Sequence, residues 1–191
     1  MGILREVAAL VKSLPLPRPF DVCELGDQMM SGGKTPTPAK VFYQSIGCRR
    51  YEAIDANGRG TITGDLNRPF RIGGPLQFDL PRFDLVTDFG TGEHIFDQAQ
   101  VWRTVHDLTR VGGLIAFDRP GQGYRGHGFY RTDPCLFRDI ADTNGYRLVY
   151  LVIAETPRGE LVRGVFQRQT DLPFRVPQQG RYRATLRVGS A

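Results

Sequence analysis

Apolar positions along this chain follow two rhythms. Short blocks rich in β-branched and aromatic residues fall at 21–25, 51–55, 60–63, 83–87, 114–117, 146–154 and 161–168, and their near-continuous apolar character predicts strands buried on both faces. Between them the spacing turns helical. The strongest such stretch, 97–110, begins with Asp97 as a cap and Gln100 in capping-box position, carries Val101, Trp102, Val105 and Leu108 as one stripe, and stops at Gly112-Gly113. A second helix is predicted from Thr132-Asp133-Pro134 to Asn144-Gly145, with Leu136, Phe137, Ile140 and Ala141 turned inward. A third, amphipathic one is predicted near the start, where Ile3, Leu4, Val7, Ala8 and Val11 share a face ahead of Pro15 and Pro17. Residues 155–160 are too few for a helical crossover, so the last two strands must form an antiparallel hairpin. Strands alternating with helices predict a Rossmann-like α/β fold: seven strands, mainly parallel, closed by an antiparallel C-terminal hairpin, with helices on both faces.

The chain's 191 residues suit one large core. The expected organisation is an N-terminal amphipathic helix (1–19), a Rossmann-like domain (20–170) and a basic C-terminal extension (171–191). No window approaches the ~20 apolar residues of a membrane span, and charges at Arg5, Glu6 and Lys12 interrupt the first segment where a secretory signal would be apolar. Cys23, Cys48 and Cys135 are odd in number and match no zinc spacing, so no metal is expected and a reduced, cytoplasmic setting is. The net charge of +5 comes from scattered arginines, which describe a solvated surface better than a nucleic-acid groove. The densest basic run is 158–187, and Phe129 and Tyr130 beside Arg131 supply only a fragment of a nucleic-acid surface.

The stretch Glu24-Leu25-Gly26-Asp27-Gln28-Met29-Met30-Ser31-Gly32-Gly33-Lys34-Thr35 carries two nucleotide signals. A phosphate-binding loop needs a glycine where Gln28 stands and a helix after Thr35, where Pro36-Thr37-Pro38 follows instead. That reading is rejected. The other end, a strand closing on Glu24 and Gly26, has partners downstream: Asp55, Asp65 and Asp88 each end or follow a predicted strand. Acids along one sheet edge suit a nucleoside-bearing, cationic ligand, although aspartate is also common in ordinary turns.

In this order the segments Glu24-Leu25-Gly26, Ala53-Ile54-Asp55-Ala56, Thr63-Gly64-Asp65-Leu66, Phe83 to Gly90 and Leu108 to Phe117 resemble the class I S-adenosylmethionine-dependent methyltransferases over roughly residues 20–170. No single motif is specific, whereas the ordered set is. The resemblance implies S-adenosylmethionine as cofactor, with Glu24 holding the methionine amino group through the turn, Gly26 allowing close backbone approach, Asp55 on the ribose, Asp65 on the adenine amino group and Asp88 at the fourth strand's end. It departs from the family in its first glycine-rich motif, which lacks a second glycine until Gly32.

Candidate catalytic residues follow the fourth and fifth strands: His94 in one loop and His127 in the glycine-rich loop 121–130, since imidazole titrates near neutrality. Each also fits a plain loop-ordering role. His106 lies on a helix and reads as packing, and Gly121-x-Gly123-x-x-Gly126 is a false dinucleotide match because no helix starts there. The glycines predict a mobile lid or a close approach of backbone. The resemblance implies methyl transfer to an unidentified, small-molecule acceptor; the altered first motif keeps open a catalytically inactive fold serving as a binding or structural subunit with a protein partner.

Overall fold

Seven strands place the chain's acids and glycines along one edge of a single sheet. The computed structural model describes residues 2–33, 35–70 and 81–178. Lys34 and the end of the basic extension lie outside the described residues. In chain order the elements are β1 (Gly2–Ile3), α1 (Arg5–Ser13), β2 (Phe20–Leu25), β3 (Met29–Met30), β4 (Thr37–Pro38), α2 (Ala39–Ser45), β5 (Cys48–Asp55), β6 (Ile62–Thr63), β7 (Phe83–Asp88), a 3₁₀ turn (Gly92–His94), α3 (Gln98–Leu108), β8 (Thr109–Pro120), α4 (Pro134–Asn144), β9 (Arg147–Thr156) and β10 (Gly159–Gln167).

The main sheet has the order β6-β5-β2-β7-β8-β10-β9. All neighbours are parallel except β10, which runs antiparallel to both β8 and β9. Register aligns Leu25 with Ile54 and Asp88, and Asp88 with Phe117, so Gly26, Asp55, Phe89 and Asp118 emerge together. Strand order reverses between β2 and β7, the place where open α/β sheets bind ligands.

Strands are buried on both faces because helices cover both. On one side Val101, Trp102 and Val105 of α3 and Phe137 and Ile140 of α4 meet Cys23, Leu25, Val86 and Phe117. On the other, Val7, Ala8 and Val11 of α1 and Phe42 and Tyr43 of α2 meet Phe20, Val22, Leu85 and Ala116. Asp97 caps α3 by accepting from Gln100 N, but the Gln100 side chain turns to Thr104, so the second half of the expected capping box is not made. Asp133 caps α4, and Gly145 closes it in the left-handed conformation that glycine adopts without steric cost.

Two local expectations are corrected. The helix expected over 97–110 ends at Leu108, because β8 begins at Thr109 and takes in Gly112 and Gly113. Ile3 was expected on the N-terminal helix; it belongs instead to β1, which pairs with Met29 and Met30 in a small second sheet. The span between β2 and β5 contains that sheet's other strands and α2, whose seven residues are too few to show a helical stripe in sequence. No helix among the described residues is long and apolar enough to cross a membrane.

Candidate functional site

Among the described residues, two cavities open at the C-terminal edge of the sheet, on either side of the start of the loop after β7. The first, about 350 Å³, lies over β5, β2 and β7. Gly26, Asp27 and Gln28 line it beside Asp55, Asp65 also borders it, and Ile54, Leu66 and Ile95 supply apolar surface. Gly90, Thr91 and His94 complete it. The second, about 490 Å³, lies over β8 and the hairpin, between Leu4, Phe89, Asp118, Tyr124, Arg158 and Leu161. Consecutive residues Phe89 and Gly90 thus line different cavities.

The first cavity is built by backbone capture. Asp55 accepts from the N–H groups of Asp27 and Asn57, at 2.9 Å each, so one carboxylate fixes the turn after β2 and the turn after β5. Asp65 accepts from the backbone and side chain of Asn67, and these hydrogen bonds hold its pKa below the usual aspartate value. Gly26 has a φ of 79°, and a Cβ there would overlap Thr91 Oγ1. Thr91 Oγ1 donates to Leu25 O (2.8 Å) and accepts from Gln28 Nε2 (2.9 Å). Thr91 and Gln28 therefore occupy the space over the shortened glycine motif. Their arrangement leaves Gln28 Oε1 buried with no hydrogen-bond partner among the described residues. A buried acceptor without a donor is costly, and a cationic amine would satisfy it.

Glu24 is fully buried on the α2 side, accepting from Tyr51 Oη at 2.7 Å and lying near Tyr43 Oη and Gln28 N. Burial pushes its pKa up to about 8. It sits beneath the turn and not in the cavity. Asp88 is likewise inside the fold: it is ion-paired to Arg119, itself 1% exposed, and accepts from Gly92 N at 2.9 Å. Arg119 also donates to Gln98 and lies over the rings of Trp102 and Phe117. Neither acid lines either cavity.

His94 and His127 do come together, with ring centroids 5.0 Å apart. Beside both lies Glu93, 0% exposed, with Oε1 3.4 Å from His127 Nε2 and 3.8 Å from His94 Nε2. Burial raises the Glu93 pKa to about 7, and partial burial lowers both imidazole values. His127 arrives there because Phe129 N and Tyr130 N both donate to Glu93 O, and a Cβ on Gly128 would press on that carbonyl. The loop is also tied to the hairpin through Gly121 N to Glu160 O and Glu160 N to Gln122 O. Of the two expectations for this loop, close backbone approach is met at Gly123, which lies against Gly159, and at Gly128, whereas a Cβ at Gly126 would meet nothing. His106 is buried between Tyr146 Oη and Leu172 O, as packing requires.

Sequence reasoning named His94, His127, Asp55, Asp65 and Gly26 but missed Gln28, Glu93 and Arg119. The adjacency of Glu93 to His94 was the available signal.

No protein-family model matches the chain, and no curated protein matches it by sequence. Solved structures do match. An S-adenosylmethionine-dependent methyltransferase from Mesorhizobium loti is similar with a TM-score of 0.59 at 16% identity, over 85% of this chain and 97% of that one. The Burkholderia thailandensis 1,6-didemethyltoxoflavin-N1-methyltransferase, solved with its substrate and S-adenosylhomocysteine, has a TM-score of 0.59 at 16% identity over 87% of this chain and 78% of that one. The N-methyltransferase NodS from Bradyrhizobium japonicum has a TM-score of 0.58 at 15% identity, over 87% and 96%.

Proposed function

Starting from a chain that has the class I S-adenosylmethionine-dependent methyltransferase fold, we propose that it transfers a methyl group from S-adenosylmethionine to a small-molecule acceptor. The observation that carries this reading is the pair of cavities on either side of Phe89-Gly90, one of them lined by Asp55 and Asp65. Asp55 would hold the ribose hydroxyls, Asp65 the adenine amino group, and Gln28 Oε1 the amino group of the methionine part. Glu24 and Asp88 would act from beneath, the first by fixing the turn that carries Gln28 and the second by fixing the turn that carries Thr91. When bound, the cofactor supplies an electrophilic methyl group on a sulfonium.

The chain's own task is to position the acceptor and receive its proton. The second cavity supplies a half-open space with apolar walls at Leu4, Phe89 and Leu161 and charged groups at Asp118 and Arg158. His94 lines the cofactor cavity and His127 packs edge-on against Tyr124 of the second cavity, so these imidazoles stand where acceptor and cofactor would meet.

Two variants test the reading. Asp55→Ala should weaken S-adenosylhomocysteine binding by about 1.5–3 kcal/mol, the worth of charge-assisted hydrogen bonds, as measured by calorimetry on protein whose circular dichroism is unchanged. Unaltered affinity would remove Asp55 from the cofactor site. His127→Ala should lower kcat at least tenfold while leaving cofactor affinity within twofold, because the side chain would act on the acceptor and not on the nucleoside. Equal losses in both would make the loop structural.

A second reading, a methyltransferase fold that serves as a non-catalytic subunit, is favoured by the filling of the space over Gly26 by Thr91 and Gln28. It predicts no cofactor binding at all.

A further inference from the structure

Glu93 poses a problem that the methyl-transfer reading leaves unsolved. Its carboxyl group is entirely enclosed, yet neither oxygen has a hydrogen-bond partner among the described residues, and the same is true of the nearby His127 Nε2. Burying a carboxylate without partners costs several kcal/mol in a real protein, and folds normally pair such a group or bind an ion with it. Here the neighbouring groups are two imidazoles, whose ring nitrogens can each present a lone pair.

We propose that Glu93, His94 and His127 form a binding site for a divalent first-row transition metal such as zinc. The ligand atoms of the three residues all lie within 4.8 Å of one another. Two donors bound at ~2.1 Å to one tetrahedral ion stand roughly 3.4 Å apart. Glu93 Oε1 is 3.4 Å from His127 Nε2 and 3.8 Å from His94 Nε2, so two of the spacings already approach that value. Small rotations of His94, whose side chain is 47% exposed, bring the set together without disturbing the core.

The donor set selects the class of metal. Two nitrogens and one carboxylate oxygen suit zinc, iron, cobalt or nickel, whereas magnesium and calcium prefer oxygen ligands. Three protein ligands leave a fourth position open, the arrangement of reactive and not of structural zinc sites. The backbone supports the site: Phe129 N and Tyr130 N hold the Glu93 carbonyl, and Gly128 permits the contact, so the loop that carries His127 is locked to the residue that shares the metal. Cysteine spacing predicted no metal because the ligands come from two loops and none is a cysteine.

Metal binding stands independently of methyl transfer. If the methyl-transfer reading holds, the open position would take an acceptor hydroxyl and lower its pKa, the proton passing to solvent because the two imidazoles then serve as ligands and not as bases; this role of the metal rests on that reading.

The test uses the full chain, stripped with a chelator and titrated with Co²⁺ or Zn²⁺ alone. One equivalent of Co²⁺ should bind with the visible absorption of a four-coordinate ion, and Zn²⁺ should displace it. Glu93→Gln and His127→Ala should each weaken binding at least tenfold, with folding checked by circular dichroism. Cys135→Ser should leave it unchanged, since that partly exposed thiol is the obvious adventitious ligand. Absence of binding by the unaltered chain overturns the proposal, as does binding that survives both Glu93→Gln and His127→Ala or is abolished by Cys135→Ser. Failure of cofactor binding in the same preparation would count against methyl transfer and not against the metal site.

Discussion

Arg119→Ala is expected to lower stability by about 3–5 kcal/mol, because it leaves the Asp88 carboxylate buried with its counter-ion removed. Both residues are essentially enclosed, at 1% and 0% exposure, and solvent cannot replace the lost guanidinium. Arg119 also gives up its hydrogen bond to Gln98 and its contacts over Trp102 and Phe117. For a domain of this size each kcal/mol corresponds to roughly 2–4 °C in melting temperature. Asp88 holds the N–H groups of Thr91 and Gly92, so the loop that divides the two cavities should loosen as well. Urea unfolding measures the first effect. Removing the charge on both sides, with Arg119→Met and Asp88→Asn together, should recover much of the loss. A single-variant loss under 1 kcal/mol would mean that water reaches the pair.

The second large effect belongs to Glu24. Its pKa stands at about 8 in the folded chain against an ordinary value of 4.5, with burial as the main cause. The folded state therefore keeps a proton that the unfolded chain has lost over that interval. The stability this contributes is fully present below pH 4.5 and is lost as pH rises through 8, at about 1.4 kcal/mol per pH unit between the two values. Glu24→Gln keeps a hydrogen-bonding group beside Tyr51 and has no proton to lose. Relative to that variant, the unaltered chain should lose a few kcal/mol, on the order of 3–5, between pH 5 and pH 8. Parallel stability profiles for the two proteins would show that Glu24 is ionised throughout.

The sheet was legible because its strands are apolar on both faces and end in polar residues, and the hairpin because residues 155–160 cannot hold a crossover helix. The strand ends at 25, 55 and 63 coincide with the observed ones. Asp55, Asp65 and His94 line the same cavity for that reason, each following a strand that ends at one edge. The small sheet and α2 were not legible, since two-residue strands and a seven-residue helix carry no periodic signal. Nor was the interior of the site. Gln28 meets Thr91 across 63 residues and Arg119 meets Asp88 across 31, contacts that no local pattern records. Asp88 and Glu24 were read as cofactor-binding, Glu24 through the turn that follows it, because strand-end acids can do so; whether such an acid points outward or into the fold depends on partners brought from other strands. For 121–130 the sequence left lid and close backbone approach both open, because glycine permits close packing as readily as motion.

The central claim is that the acid-lined cavity over β2 and β5 binds an S-adenosyl nucleoside despite the altered glycine motif. Titration calorimetry of the unaltered chain with S-adenosylhomocysteine tests it most directly. One site per chain, with affinity weakened in Asp55→Ala, is the result this account predicts; the absence of binding at millimolar ligand, in protein that is folded, would contradict it.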